Sequence, residues 1–411
     1  MSELKPCRSC GSDKITQFLS LGSTPLANSL LTREQLTKLE PVYPLGLVFC
    51  SDCSLVQLTK TVPPEELFSD YLYFSSFSTD MLKHAREIAE RLILERNLTK
   101  DSLAIEIASN DGYLLQWYQK AGIPVLGIEP ASNIAKVAQE QKSIPTLVEF
   151  FGMDLAARLS QAGTLADVIH AHNVMAHVPD INGFARGLGL MLKPSGVAVI
   201  EVPYVIDMVE RCEFDTIYHE HVFYFSVTAL DKLFKKHDLL LKHVEKISLH
   251  GGSLRLYVTK MHPETCQERS VLEFLGHEKQ VGVDQIVYYK KLSTKIDQLR
   301  SELVSKLARL KEEGKTIAAY GASAKGSTLM NCFGIGHAVI DFIVDRSTYK
   351  QGKWTPGTHI AIRPPSALLE ECPDYVLLLT WNFADEILAQ QSDYRRKGGK
   401  FIIPLPTPYE V

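Results

Sequence analysis

No run in this chain approaches the roughly 20 consecutive apolar residues of a membrane-spanning helix, and the opening MSELKPCRSC lacks the apolar centre of a secretion signal. An excess of one charge is missing too: 44 Lys and Arg against 48 Asp and Glu leave a net charge of -4. That balance argues against a nucleic-acid partner, because gripping a phosphate backbone takes a concentrated basic face. Solenoid repeats and low-complexity tracts are absent as well. What remains is an ordinary globular composition, 45% hydrophobic and 22% charged, expected in the cytoplasm and away from membranes. At 411 residues the chain is too long for one core and is expected to form about two to four domains.

Cysteine is scarce and unevenly placed. Of eight, four stand as Cys7-x2-Cys10 and Cys50-x2-Cys53 and the others are scattered, which suits a metal better than a disulfide framework. Two such knuckles supply four thiolates in the tetrahedral arrangement zinc favours. With every position filled by protein, the ion is expected to be structural, folding a segment that has too little core of its own. The 39 residues between the pairs imply an intervening loop.

From about residue 80 strands and helices alternate, the sign of a parallel α/β sheet. Residues 80 to 97 read as an amphipathic helix; 103 to 109, 125 to 130, 166 to 174 and 196 to 204 read as strands. Before the last of these, FARGLGLMLKPSG reads as a helix ended by Pro and Gly. A long charged helix over 285 to 313 connects to a second α/β unit with strands at 340 to 347, 375 to 382 and 401 to 406.

The turn after LAIEIAS, Asn110-Asp111-Gly112, stands where open α/β sheets bind ligands, and Glu129 follows at the end of the next strand. A turn that receives a ligand's backbone plus an acid for the ribose hydroxyls fits an adenosine cofactor. The triplet G-x-G-x-x-G, which would admit a pyrophosphate, is missing. Polar residues in the turn favour S-adenosylmethionine, which carries an amino acid instead. Farther on, Tyr218-His219-Glu220-His221 is a dense acid/base cluster suited to proton transfer at a carbon.

EIASNDGYLL, GIEPASNIA, HNVMAHVPD, YHEHVFYFS and HGGSLR, behind the CxxC pairs and ahead of a second α/β unit, resemble the nucleotide-sugar C-methyltransferases of deoxysugar pathways. The resemblance covers essentially the whole chain and rests on the order of these motifs. It implies a zinc-binding domain over 1–62, a class I Rossmann-like methyltransferase domain over 63–265 and a helical linker with a second Rossmann-like α/β domain, binding a nucleotide sugar, over 266–411. The implied reaction methylates the carbon beside the ketone of a dTDP-linked 4-keto-deoxyhexose through an enolate. In it His221 is the base, Glu220 orients it or holds a sugar hydroxyl, and Tyr218 donates to the carbonyl oxygen. His177 faces the methyl donor and Tyr71 acts as a lid. Cofactor contacts are implied for Glu106, Ala108, Asn110, Asp111, Gly112, Glu129, Pro130 and Asn173, and substrate contacts for Ser323, Lys325 and His250. The family usually has Gly where Ala108 stands, and its methyl group crowds the cofactor's amino-acid end.

Blander readings exist for several of these. His177 could cap the following helix, Tyr71 and Tyr73 could be core aromatics, and His219 is expected to be structural. Two other functions compete: a methyltransferase of the same build acting on another carbon or an oxygen, and a non-catalytic zinc-containing adaptor that binds nucleotides. An acid/base cluster speaks against the adaptor.

Overall fold

The computed structural model describes residues 4–68, 74–247 and 252–411. Along the chain, strands β1 (Ile15–Thr24), β2 (Tyr43–Cys50) and β3 (Val56–Leu58) come first. Next are β4 (Ala104–Ile107), β5 (Val125–Ile128), β6 (Thr146–Leu147), β7 (Ala166–His172) and β8 (Leu192–Pro203). After β9 (Phe223–Tyr224) follow β10 (Leu239–Ile247) and β11 (Ser253–Lys260). The last group is β12 (Ile317–Tyr320), β13 (Ile343–Val344), β14 (Ile362–Arg363), β15 (Tyr375–Leu378), β16 (Lys400–Ile403) and β17 (Tyr409–Glu410).

Three sheets result. The central one has the order β10-β11-β8-β7-β4-β5-β6, parallel except where β11 inserts antiparallel between β8 and β10. The third, β14-β13-β12-β15-β16-β17, is parallel apart from β17. β4 and β12 are buried at every position, as a parallel strand covered on both faces must be. These sheets confirm the expected fold class.

The first sheet departs from expectation. The stretch between the cysteine pairs is not merely a loop: β1 and β2 occupy much of it as an antiparallel pair. Its fourth strand, β9, comes from far along the chain and pairs with β3, Val56 opposite Tyr224 and Gln57 opposite Phe223. The helix before β8 also differs. It runs Ile181–Met191 and stops short of Pro194, because Leu192 already pairs with Ala166.

The long helix Ile286–Glu312 buries Tyr288, Tyr289, Leu292, Ile296, Leu299, Leu303, Leu307 and Leu310, the three- and four-residue spacing of one helical face. That face joins the largest core cluster, which holds residues of all three sheets. Helix Thr79–Glu95, capped by Ser78, covers the central sheet with Met81, Ala85, Ile88, Ala89 and Leu92.

Beneath that helix a row of ionisable residues crosses the central sheet in register: His172 opposite Glu201, Glu201 opposite Arg255, Arg255 opposite Glu245. Arg255 Nε donates to Glu201 at 2.7 Å and His84 Nε2 lies 2.8 Å from the same oxygen. Burial pushes the Glu201 pKa up, but His172, His84 and Arg255 outweigh it and hold the carboxyl well below the usual range. His84, His172 and Glu201 resemble a metal triad. The guanidinium of Arg255, 3.0 Å from His84 Nε2, already supplies the cation. Removing one partner of a buried ion pair strands the other, so Arg255→Met is expected to cost about 3–5 kcal/mol of stability. Denaturant unfolding measures this, and a loss under about 1 kcal/mol would show the row to be dispensable.

Candidate active site

A cavity of about 1150 Å³ lies where the three sheets meet, and it gathers most of the residues singled out by sequence. Ala108, Asn110, Glu129, Pro130, Asn173, His177, Tyr218, Glu220, His221, Ser323 and Lys325 all border it. Glu106 and Asp111 are buried in the same turn region, 1% and 3% exposed, without being among the lining residues. Tyr71 and His250 lie outside the described residues.

The β4 turn is held by Glu129. Its carboxylate accepts the Asn110 amide at 2.9 Å on one oxygen and the Ala131 amide at 2.9 Å on the other. Burial raises the Glu129 pKa against the pull of these two N–H groups. Asn110 in turn accepts the Ser75 amide at 2.9 Å, and Lys142 lies 3.3 Å from Asp111. Burial, with Asp111 and Glu129 nearby, raises the Glu106 pKa well above the usual range. Among the described residues Glu106 Oε2, Asp111 Oδ1 and Ser109 Oγ are buried with no hydrogen-bond partner. Glu129 borders the cavity with a carboxylate whose oxygens each accept one amide and keep a lone pair for a ribose hydroxyl, so the residues present fit S-adenosylmethionine.

Ala108 has φ +52°, a left-handed conformation that glycine adopts freely and alanine only at a cost. Sequence reasoning located the effect of this methyl group at the cofactor; the backbone bears one as well.

The acid/base cluster is organised differently from the expectation. His221 Nδ1 lies 2.9 Å from the Thr216 carbonyl, which can only accept, so Nδ1 carries the proton and Nε2 the lone pair. That lone pair accepts from the Tyr218 hydroxyl at 2.8 Å. Thr216 and Tyr218 thus orient His221, whereas Glu220 bonds elsewhere: its Oε1 accepts Asn28 Nδ2 at 2.7 Å. Burial pushes the Glu220 carboxyl up to about 7, with Asn28 opposing the rise. His177 stacks edge-on to His221 with ring centres 4.7 Å apart, and burial takes its pKa down to about 4. It does not cap the following helix, since Asp180 accepts the Gly183 amide there. His219 sits 3.2 Å from the Tyr43 carbonyl.

Across the cavity, Ser323 caps helix Ala324–Phe333 by accepting the Gly326 amide. Lys325 Nζ stands 4.7 Å from the centre of the Trp381 ring and faces Asp215 and Glu213, whose carboxyl burial pushes up to about 7. Sequence reasoning missed Asp345. At the end of β13 its two oxygens accept the amides of Ala322 and Ser347, each at 2.8 Å, which repeats the bonding of Glu129 at the end of β5. The signal was present in IDFIVDRS, an acid closing the second strand of an α/β unit.

At the other end, Cys7 and Cys53 sulfurs are 3.5 Å apart, as are those of Cys10 and Cys50, and all four lie within 4.8 Å of one another. Tetrahedral zinc with bonds of about 2.3 Å would set neighbouring sulfurs about 3.8 Å apart. The thiols fit that ion.

The central sheet, its turn and its acid define a methyltransferase of the S-adenosylmethionine-dependent class. Family models match the chain in succession: "putative zinc binding domain" over residues 7–68, "methyltransferase domain" over 81–244 and "C-methyltransferase C-terminal domain" over 248–406. The chain is 34% identical over 402 residues to the C-methyltransferase NovU of Streptomyces niveus, spanning 98% of this chain and 96% of that protein. It belongs to the C-methyltransferase family. A ubiquinone biosynthesis O-methyltransferase of Azorhizobium caulinodans is 28% identical over 96 residues, 23% of this chain and 38% of that protein. Among solved structures, magnesium protoporphyrin IX methyltransferase from Synechocystis is 13% identical with a TM-score of 0.34, covering 44% of this chain and 79% of that one.

Replacing Ala108 by Gly should relieve the left-handed backbone and stabilise the protein by about 1 kcal/mol. Thermal unfolding reads the gain, and an unchanged or lower midpoint would show that the turn bears no such strain.

Proposed function

We propose that the protein transfers a methyl group from S-adenosylmethionine to the carbon beside the ketone of a nucleotide-linked 4-keto-deoxyhexose. The observation that carries this reading is one cavity bordered by two matching carboxylate cradles, Glu129 and Asp345, together with the Tyr218–His221 pair. Glu129 would hold the ribose of the cofactor, and Asp345 a sugar hydroxyl of the substrate's nucleoside. Beside Asp345, Lys325, Lys350 and Lys353 border the cavity and suit a diphosphate, as do the amides opening helix Ala324–Phe333. The dTDP-linked sugars are the substrates that the sequence resemblance implies.

When bound, the cofactor supplies a methyl group on a positively charged sulfur. A carbon beside a ketone becomes nucleophilic only after its proton leaves, so the chain must provide a base and a donor for the developing oxyanion. His221 takes that proton at Nε2, with its tautomer fixed by the Thr216 carbonyl. The Tyr218 hydroxyl occupies Nε2 at rest and has to give up this bond as the base acts. It is then available to the carbonyl oxygen, where negative charge grows. Burial keeps His177 neutral near pH 7, so it packs beside His221 without adding a charge. Glu220 keeps an oxygen for a sugar hydroxyl. The part of a lid falls to Tyr71 on the sequence resemblance alone.

The four cysteines are assigned one structural zinc ion per chain. Metal analysis of purified protein should find one equivalent, lost in Cys50→Ser together with thermal stability; protein without stoichiometric zinc would contradict the assignment.

Mass spectrometry after reaction with methyl-labelled S-adenosylmethionine and a dTDP-linked 4-keto-deoxyhexose should find the label on carbon. Label on oxygen, or none, would reject the reading. The base is tested by deuterium exchange in heavy water with S-adenosylhomocysteine in place of the methyl donor. Wild type should wash deuterium into the carbon beside the ketone, and His221→Asn should slow this about 10²- to 10⁴-fold. Equal exchange in both proteins would remove His221 from the role.

A further inference from the structure

Resting on the C-methylation reading, we propose that Asn28, in the segment between the cysteine pairs, is a positioning residue that holds Glu220 in place for the sugar substrate. The two are 192 residues apart in sequence, yet Asn28 Nδ2 donates to Glu220 Oε1 at 2.7 Å. Glu220 is 4% exposed, and a carboxylate buried to that degree is costly unless a donor meets it. Both residues border the cavity. The neighbouring members of the cluster have other anchors. Tyr218 and His221 bond each other, His221 also bonds Thr216, and His219 approaches the Tyr43 carbonyl. Glu220 is the acid whose anchor is a side chain from a different sheet's connection.

That anchor is itself fixed. Around Asn28 the backbone makes a tight turn, Ser29 N–H to the Leu26 carbonyl at 3.1 Å and Leu30 N–H to the Asn28 carbonyl at 2.8 Å. Just beyond it, Leu31 and Trp354 exchange two backbone hydrogen bonds of 2.9 Å. Glu40 then accepts the Gly357 amide at 2.8 Å and faces His359 at 3.0 Å. The segment is therefore strapped to the C-terminal unit on one side while its amide reaches Glu220 on the other. An amide donates to the carboxylate without adding a charge to a cavity that Glu129, Glu213, Lys325, Lys350 and Lys353 already border. The titratable groups beside Glu220 include His177, whose ring bonds the Glu220 backbone, and Tyr218, His219 and His221 along the same stretch. Asn28 opposes the burial that raises the carboxyl, so its loss must move the Glu220 pKa further up.

The test uses the full, zinc-loaded chain with methyl-labelled S-adenosylmethionine and a dTDP-linked 4-keto-deoxyhexose. Four variants are compared: Asn28→Ala, the isosteric Asn28→Asp, Glu220→Gln, and Asn28→Ala combined with Glu220→Gln. Asn28→Ala should lower kcat about ten- to hundredfold, the value of a lost hydrogen bond to a charged group. Affinity for S-adenosylhomocysteine should stay unchanged, and the limb of the pH profile set by Glu220 should move to higher pH. Asn28→Asp, which preserves shape and replaces the donor with a second carboxylate, should lose at least as much, which keeps the test decisive if the alanine variant folds poorly. In the Glu220→Gln background, losing Asn28 should change kcat by less than about twofold, because both act through one group. Normal kcat in both Asn28 variants beside a slow Glu220→Gln would overturn the positioning role alone, as would effects that multiply in the double variant. Wild-type kcat in Glu220→Gln would overturn the role of Glu220 and this proposal with it.

Discussion

A short antiparallel contact fixes where the Tyr218–His221 cluster stands. Val56 pairs with Tyr224 and Gln57 with Phe223, so the strand that follows the Tyr218–His221 cluster becomes the outer strand of the sheet built on the cysteine knuckles. The Val222 carbonyl accepts the Leu58 amide at 2.9 Å, and the Val222 amide donates to Ala176 at 2.8 Å. One residue thereby ties the zinc-binding sheet to the loop that carries His177. Just upstream, Thr328 donates to the Ile217 carbonyl and Trp381 to Asp215, which fastens the same segment to the C-terminal unit. The stretch from Asp215 to Tyr224 touches every part of the molecule. Of its side chains, Thr216, Tyr218, Glu220, His221 and Tyr224 border the cavity.

Seen from this segment, the N-terminal unit is more than a folding aid. The sheet next to the four cysteines reaches the cluster twice, through the pairing of β3 with β9 and through Asn28 on the strap. The two α/β units then face each other with the same device, an acid after the second strand that gathers the amides of the first turn and of its own following residues: Glu129 in one, Asp345 in the other. In an α/β sheet this is the position that meets a nucleoside, and the two copies look into one cavity.

Local chemistry was legible in the sequence. The cysteine spacing, the strand followed by Asn110-Asp111-Gly112, the acid at Glu129 and the cluster at 218–221 each announce themselves within a few residues, and the structure gathers most of them at one site. The long helix could be read because eight buried side chains repeat on one face. Contacts made across the chain were not legible. Nothing near Asn28 points to Glu220, nothing in Phe223-Tyr224 says which sheet will receive it, and the bonding of His221 to Thr216 depends on how a loop closes. Arg255 was visible within HGGSLR, but its work, balancing Glu201 in a row across four strands, follows from register and not from motif. Boundaries drifted where pairing overrode local punctuation, as at Leu192.

Whether the zinc-binding sheet holds the reacting segment is measured most directly by hydrogen exchange. The amides of Leu58 and of residues 216 to 224 are followed by mass spectrometry in the zinc-loaded protein and after chelation, with the helix Ile286–Glu312 as an internal reference. Protection at Leu58 and along 216 to 224 should fall together when the metal is removed, while the reference helix keeps its own. Full protection of 216 to 224 in metal-free protein whose Leu58 amide has opened would contradict this dependence.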